Sequence, residues 1–332
     1  QGTRLGNMRL LALTLLLVLG FTRAQHEACP NEEALRPCTC DGSGINCMHL
    51  KTSTELVKSF RASGQNEHHG LWIQKTPVTH IDTGAFGAFK FVDVYIELNE
   101  NLTSFVLDSL GRSRNTLRTL SLFSNALNTF PFEKVAQYPE LRLLNLAGNR
   151  LTSIPPRAFS AGELKKLALS NNPITSVGHF AFSELPKLET LHMIHTGLVT
   201  LGPYSFSMRR HSVNLMIDLA DNSISYVDAN AFASTGPFLL DLSRNNLTSL
   251  EEDGFLPLAR NMLQTMRRRS DGKSATVLTR GNPLSCEGCD YLWLVRNSRN
   301  RLFSRMFLDF RCADGRRMAE LDASDINCNI YP

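Results

Sequence analysis

Residues 141–154 read LRLLNLAGNRLTSI, and their spacing, L-x-x-L-x-L-x-x-N-x-L, limits the possible folds more than any other part of the chain. Leu144 and Leu146 stand two apart, so a short strand carries both on one face. Asn149 follows where the chain must turn off that strand. Its carboxamide can satisfy backbone groups that neither strand nor helix would pair. Leu151 and Ile154 then return to the interior. A unit this small cannot cover its own apolar face, so it needs copies of itself stacked on either side.

The copies are there. Alignment on the asparagine position gives slots at Thr76, Asn99, Asn125, Asn149, Asn172, Thr196, Asn222 and Asn245, a period of about 24 residues. The second unit carries one extra residue before Leu102, which implies a bulged turn. Ala85-Phe86, Ala158-Phe159, Ala181-Phe182 and Ala231-Phe232 recur late in their units, where the phenylalanines would stack inside the convex side. Asn282 is the next slot candidate. The long interval before it holds a helical stretch, 256–269, then a polar turn, 270–273, and reads as one lengthened last unit. The repeat is the leucine-rich repeat. The fold it predicts is an α/β solenoid, a curved horseshoe with a parallel sheet on the concave face.

The eight cysteines fall in two groups, Cys29, Cys38, Cys40 and Cys47 at one end and Cys286, Cys289, Cys312 and Cys328 at the other. An even count in a secreted chain reads as disulfides, and the sequence alone leaves three pairings open in each group. Cys286 and Cys289 form a C-x-x-C, but no second one exists for zinc and the compartment is oxidising. Secretion is expected because Met8-Arg9 precedes an apolar run, 10–20, and then Thr22-Arg23-Ala24. That is a signal peptide cleaved after Ala24, with 1–7 upstream of the start. The run is too short to span a bilayer and no apolar tail follows Cys328, so the mature chain is expected to be released with no membrane span. The domain plan is then 1–24 signal peptide, 25–68 N-terminal cysteine cap and linker, 69–281 repeats and 282–332 C-terminal cysteine cap. His68-His69 read as exposed linker. Asn101 and Asn246 head N-x-T tripeptides and are expected to carry glycans.

Composition narrows the function. A net charge of +4 over 332 residues does not make the dense basic surface that nucleic-acid binding needs. No G-x-S-x-G, H-E-x-x-H, phosphate loop or dinucleotide glycine pattern occurs. With the cysteines assigned to the two ends, no thiol nucleophile remains. A solenoid also excludes water poorly, which electrostatic catalysis disfavours. The expectation is a non-enzymatic scaffold with no cofactor and no metal, binding an extracellular protein ligand.

On each strand the residues between the leucines face outward, onto the concave sheet. The middle outward column reads Trp72, Tyr95, Ser121, Asn145, Ala168, His192, Asp218, Asp241, and the next column places Phe123 beside it. Trp72, Tyr95 and Phe123 are outward aromatics in successive units and the candidate partner-binding patch. Asp218 and Asp241 with His192 resemble an acid–base or metal cluster, but no pocket or further ligand is indicated, and they read as a solvated acidic patch. Arg267, Arg268 and Arg269 form the most charged point of the lengthened unit. They read as a solvated loop or as a contact for sulfated glycan.

Repeats and cysteine groups together resemble secreted and cell-surface leucine-rich repeat proteins with cysteine caps at both ends, a layout shared by Slit and Toll-type ectodomains. The resemblance implies pairing one to three and two to four within each cap: Cys29–Cys40, Cys38–Cys47, Cys286–Cys312 and Cys289–Cys328. The family more often has one residue between the first two cysteines of the second cap. Here there are two, so the local turn is expected to differ. Leu71-Trp72-Ile73, the run TPVTHI at 76–81, Gly84-Ala85-Phe86 and Val94-Tyr95-Ile96-Glu97 are similar to an arthropod group typified by the non-catalytic subunit of Oplophorus-luciferin 2-monooxygenase. In that group the light-emitting chemistry belongs to a different subunit, so the resemblance implies an accessory subunit of a secreted enzyme complex as the alternative partner relationship. Recognition of microbial glycans is a third reading.

Overall fold

A computed structural model describes residues 29–322. The expected signal peptide and Cys328 lie outside the described residues. The leucine pairs build an 11-stranded sheet. Its strands, in chain order, are β1 (Thr39–Asp41), β2 (Gly44–Asn46), β3 (Glu67–Gln74), β4 (Lys90–Glu97), β5 (Thr119–Ser121), β6 (Leu143–Asn145), β7 (Lys166–Ala168), β8 (Thr190–His192), β9 (Met216–Asp218), β10 (Leu239–Asp241) and β11 (Thr276–Leu278). β1 and β2 are an antiparallel hairpin. From β2 onward every neighbour is parallel, as each strand must be when one unit follows another in the same direction. The inward residues are fully buried: Leu71, Val94, Leu120, Leu144, Leu167, Leu191, Ile217 and Leu240.

Asparagine slots lock each unit to the one before. Asn172 donates to the Leu146 and Leu169 carbonyls, both at 2.9 Å, and accepts from the Leu151 N–H at 3.0 Å. Asn149, Asn245 and Asn282 repeat the pattern, accepting from the N–H groups of Leu127, Ile224 and Leu247 at 3.1, 3.0 and 3.0 Å. Asn282 is therefore a full rung, and the lengthened unit contributes β11. The residue before each slot is left-handed, from φ 51° at His195 to φ 80° at Gly281. At most of these positions its N–H bonds the next unit, as with Gly148 to the Ser170 carbonyl at 2.9 Å. Among them Gly148, Gly281, Asn171 and Asp221 are residue types that signal such a turn.

Behind the sheet the phenylalanines stack as a continuous column. Phe132, Phe159, Phe182, Phe206 and Phe232 follow one another at centroid distances of 5.2, 5.7, 5.6 and 5.4 Å. Phe206 belongs to it although Ser205 stands where its neighbours have alanine.

Both ends are covered. The N-terminal side has α1 (Glu32–Leu35) and α2 (Ser53–Ser59). Phe60 packs edge-on to Phe86 at 5.1 Å, and disulfides Cys29–Cys40 and Cys38–Cys47 close the hairpin. At the other end Cys286 bonds Cys312, and Cys289 is also disulfide-bonded, its expected partner being outside the described residues. Cys286 and Gly288 both take positive φ in the widened C-x-x-C turn. Trp293 donates to the Leu250 carbonyl at 2.7 Å and Tyr291 to that of Thr248 at 2.7 Å, so the second cap is pinned to the last regular unit.

Two local expectations need correcting. His68 and His69 are not linker, and only His69 keeps the expected exposure. Both lie in β3, His68 is 3% exposed and stacks on Phe89 at 5.8 Å, while His69 faces Asp93 at 3.1 Å. Their alternation is that of a strand, which the neighbouring polar run 63–67 concealed. The helix expected over 256–269 is α3, Glu252–Arg267, with Pro257 inside it. The helix thus starts earlier than expected, and Glu252 and Asp253 in its first turn suit that start.

Candidate binding surface

The sheet places the outward columns in register. Trp72 pairs with Tyr95, Tyr95 with Ser121, and so on to His192, Asp218 and Asp241. Trp72 and Tyr95 are half-buried, and their rings are parallel to within 7° at 6.1 Å. Gly70 makes this possible. A Cβ there would sit 2.1 Å from the Trp72 ring, so the indole lies back along its own strand over the bare glycine. Burial, with Asp93 and Glu97 beside it, holds the Tyr95 phenol above its ordinary range. Glu97 is itself anchored by Gln74 at 2.7 Å and Ser121 at 2.5 Å. Phe123 lies one column over. At 36% exposed it stands apart from the pair, and buried Ser121 takes the position a third ring would need. The aromatic patch is thus a rigid pair with a separate neighbour.

At the other end His192 Nδ1 lies 3.6 Å from Asp218. Asp218 and Asp241 accept the N–H groups of Ala220 and Ser243 at 3.2 and 2.8 Å. These carboxylates cap the turns that follow their own strands, as Asn145 does for Ala147 at 3.0 Å. Among the described residues no group of three or more His, Cys, Asp or Glu could hold a metal ion.

The basic triplet divides. Arg267 and Arg268 are exposed. Arg269 is not available as a surface contact: its side chain is 10% exposed and pairs with Asp271. Its guanidinium lies 3.9 Å over the Phe238 ring and donates to the Val213 carbonyl and Asn214 side chain at 2.9 and 2.5 Å. Sequence adjacency hid this difference, because the partners of Arg269 come from an earlier unit. Asn101 and Asn246, the expected glycan acceptors, are both exposed. No helix among the described residues is long and apolar enough to cross a membrane.

The family model described as leucine rich repeat matches residues 139–198 and 162–210. Among known proteins, the chain is similar to the Oplophorus-luciferin 2-monooxygenase non-catalytic subunit of Oplophorus gracilirostris, 27% identical over 328 residues, covering 89% of this chain and 86% of that one. It is 24% identical over 243 residues to Tsukushi of Rattus norvegicus, covering 63% of this chain and 68% of that protein. The match to Toll-like receptor 9 of Mus musculus is 28% over 158 residues, 46% of this chain but 14% of the receptor. Among solved structures, a chain of the octameric complex of Latrophilin 3 (Lec, Olf), Unc5D (Ig, Ig2, TSP1) and FLRT2 (LRR) superposes with a TM-score of 0.51 at 17% identity, over 90% of this chain and 100% of that chain. That likeness is one of fold. Sheet, repeats and relatives agree on an interaction scaffold of leucine-rich repeats with disulfides near both ends.

Proposed function

We propose, from the premise that this chain is a leucine-rich repeat solenoid closed by disulfides, that it is a secreted, non-enzymatic scaffold holding an extracellular protein against the Trp72 end of its concave sheet. The stacked pair Trp72–Tyr95 carries this reading. Tryptophan and tyrosine dominate binding hot spots because they bury much area with few rotors to freeze. Here Gly70 and the neighbouring strand fix both rings in advance, which lowers the ordering cost of association. The surrounding Gln74, Glu97 and Ser121 supply a bonded polar rim.

A second reading, an accessory subunit of a secreted oxygenase complex, is favoured by one observation: the similarity to the non-catalytic subunit runs through nearly the whole of both chains. Affinity purification of the mature glycosylated chain from its secreting tissue tests both. A receptor or matrix protein retained by the wild type supports the first reading, and an oxygenase the second. Trp72→Ala should keep the fold and weaken capture of the retained protein by about 30-fold. Equal capture by Trp72→Ala removes the concave aromatic pair as the site.

A further inference from the structure

A cleft of about 580 Å3 lies on the flank where the chain turns into the last concave strands. Two separate elements each bring a consecutive arginine pair to it. Arg209 and Arg210 come from the segment ahead of β9, and Arg267 and Arg268 from the end of α3. All four are exposed, and no carboxylate lines the cleft. Arg209 reaches Glu184 at 3.3 Å with 79% of its side chain in solvent, an ion pair too exposed to hold it firmly. Arg268 bonds the Thr265 hydroxyl at 3.1 Å. Neither Arg210 nor Arg267 makes an ion pair among the described residues.

Arg267 and Arg268 have a local reason for their place, since cations offset the negative end of a helix. That reason does not extend to Arg209 and Arg210, which come from a segment outside α3. Bringing them against α3 adds like-charge repulsion, and a cleft lined by one sign of charge focuses its potential on an incoming counter-charge. Asn261, Gln264 and Ser234 stand among the guanidinium groups and offer amide and hydroxyl groups suited to sugar hydroxyls. Two arginine pairs on different elements also match a ligand whose anionic groups repeat along a chain. With a net charge of only +4 over the whole sequence, the attraction is local to this cleft rather than general.

We propose that this cleft binds a sulfated glycosaminoglycan, with the guanidinium groups gripping sulfates through paired N–H···O bonds. The site goes beyond protein capture on the concave face and uses none of its residues, so Trp72→Ala leaves it intact.

The test is heparin-affinity chromatography and titration of the mature full chain with heparin and with desulfated heparin. Wild type should be retained by heparin at physiological salt and should not bind the desulfated form. Arg209→Ala with Arg210→Ala, and separately Arg267→Ala with Arg268→Ala, should each weaken heparin binding about tenfold. Arg112→Ala with Arg118→Ala, an equal charge loss at exposed positions elsewhere, should leave it within about twofold. The proposal is overturned if the two cleft pairs lose no more than this control. It also falls if wild type is not retained, or if desulfated heparin or polyglutamate binds as tightly as heparin.

Discussion

The carboxamide oxygen of Asn99 accepts two bonds from Thr76 at once, from its backbone N–H at 2.9 Å and from its hydroxyl at 2.7 Å. Asn222 treats Thr196 the same way, at 2.7 and 2.6 Å. A threonine in the slot is therefore held by the unit that follows it, while an asparagine in the slot also holds the unit before.

That asymmetry sets the cost of losing a rung. Asn172 is 2% exposed and satisfies two carbonyls and one N–H. Asn172→Ala should destabilise the chain by about 2–4 kcal/mol, because those backbone groups stay buried without partners. Urea denaturation followed by circular dichroism measures it. A loss under about 0.5 kcal/mol, the range of an ordinary surface change, would contradict the ladder's role.

Gly70→Ala should displace the Trp72 indole without unfolding the sheet, since the added methyl would stand 2.1 Å from the ring. The chain has two tryptophans, and Trp293 is 1% exposed. In a Trp293→Phe background the emission therefore reports Trp72 alone. A red-shifted maximum is the expected result, and an unchanged spectrum would show that the glycine does not seat the ring.

Arg269→Ala should lower stability by about 2–3 kcal/mol while leaving heparin retention unchanged. It removes a mostly buried cation from the Phe238 ring and strands the Val213 carbonyl. Thermal unfolding and heparin elution, run on the same variant, separate its structural role from that of Arg267 and Arg268.

His211 gives a pH dependence. Burial holds its imidazole below the usual histidine range, and nearby Arg268 pushes the same way, against the bond to the Ser212 carbonyl. The folded chain thus favours the neutral ring, while the unfolded chain binds a proton below about pH 6.5. The stability tied to the neutral ring is complete above that pH and is lost as pH falls toward the lower folded value. Urea midpoints between pH 7.5 and about 5.5 should fall for wild type and fall less for His211→Gln. Parallel curves would rule out this histidine as the source.

The periodic part of this structure is legible in the sequence because each rule there is local. Leu144 and Leu146 declare a strand face, and Asn149 declares its turn. The concave columns follow from counting. What escaped depends on partners distant in sequence. Arg269 looks like its two neighbours until Val213 and Phe238 are brought under it. Arg209 and Arg210 look unremarkable until α3 is laid beside them. His68 becomes a core residue only because Phe89, in the next unit, offers a ring to stack on. The left-handed turns at Lys75, Leu98 and Arg244 carry no signature in residue type. There the bonds to the following unit, not local preference, hold the backbone.

Thr196 also marks a join that lacks a rung of the asparagine ladder. It sends no carboxamide back to the preceding unit, and the Ile174 N–H, which elsewhere would find one, folds onto its own Asn172 carbonyl at 2.8 Å. The seam between Asn172 and Thr196 therefore lacks one rung in a stack whose stability is a sum of neighbour contacts. Amide hydrogen exchange should show two blocks of protection meeting at that seam. A partner that lies across both blocks would bind a surface with one built-in flexure, and would stiffen it on binding.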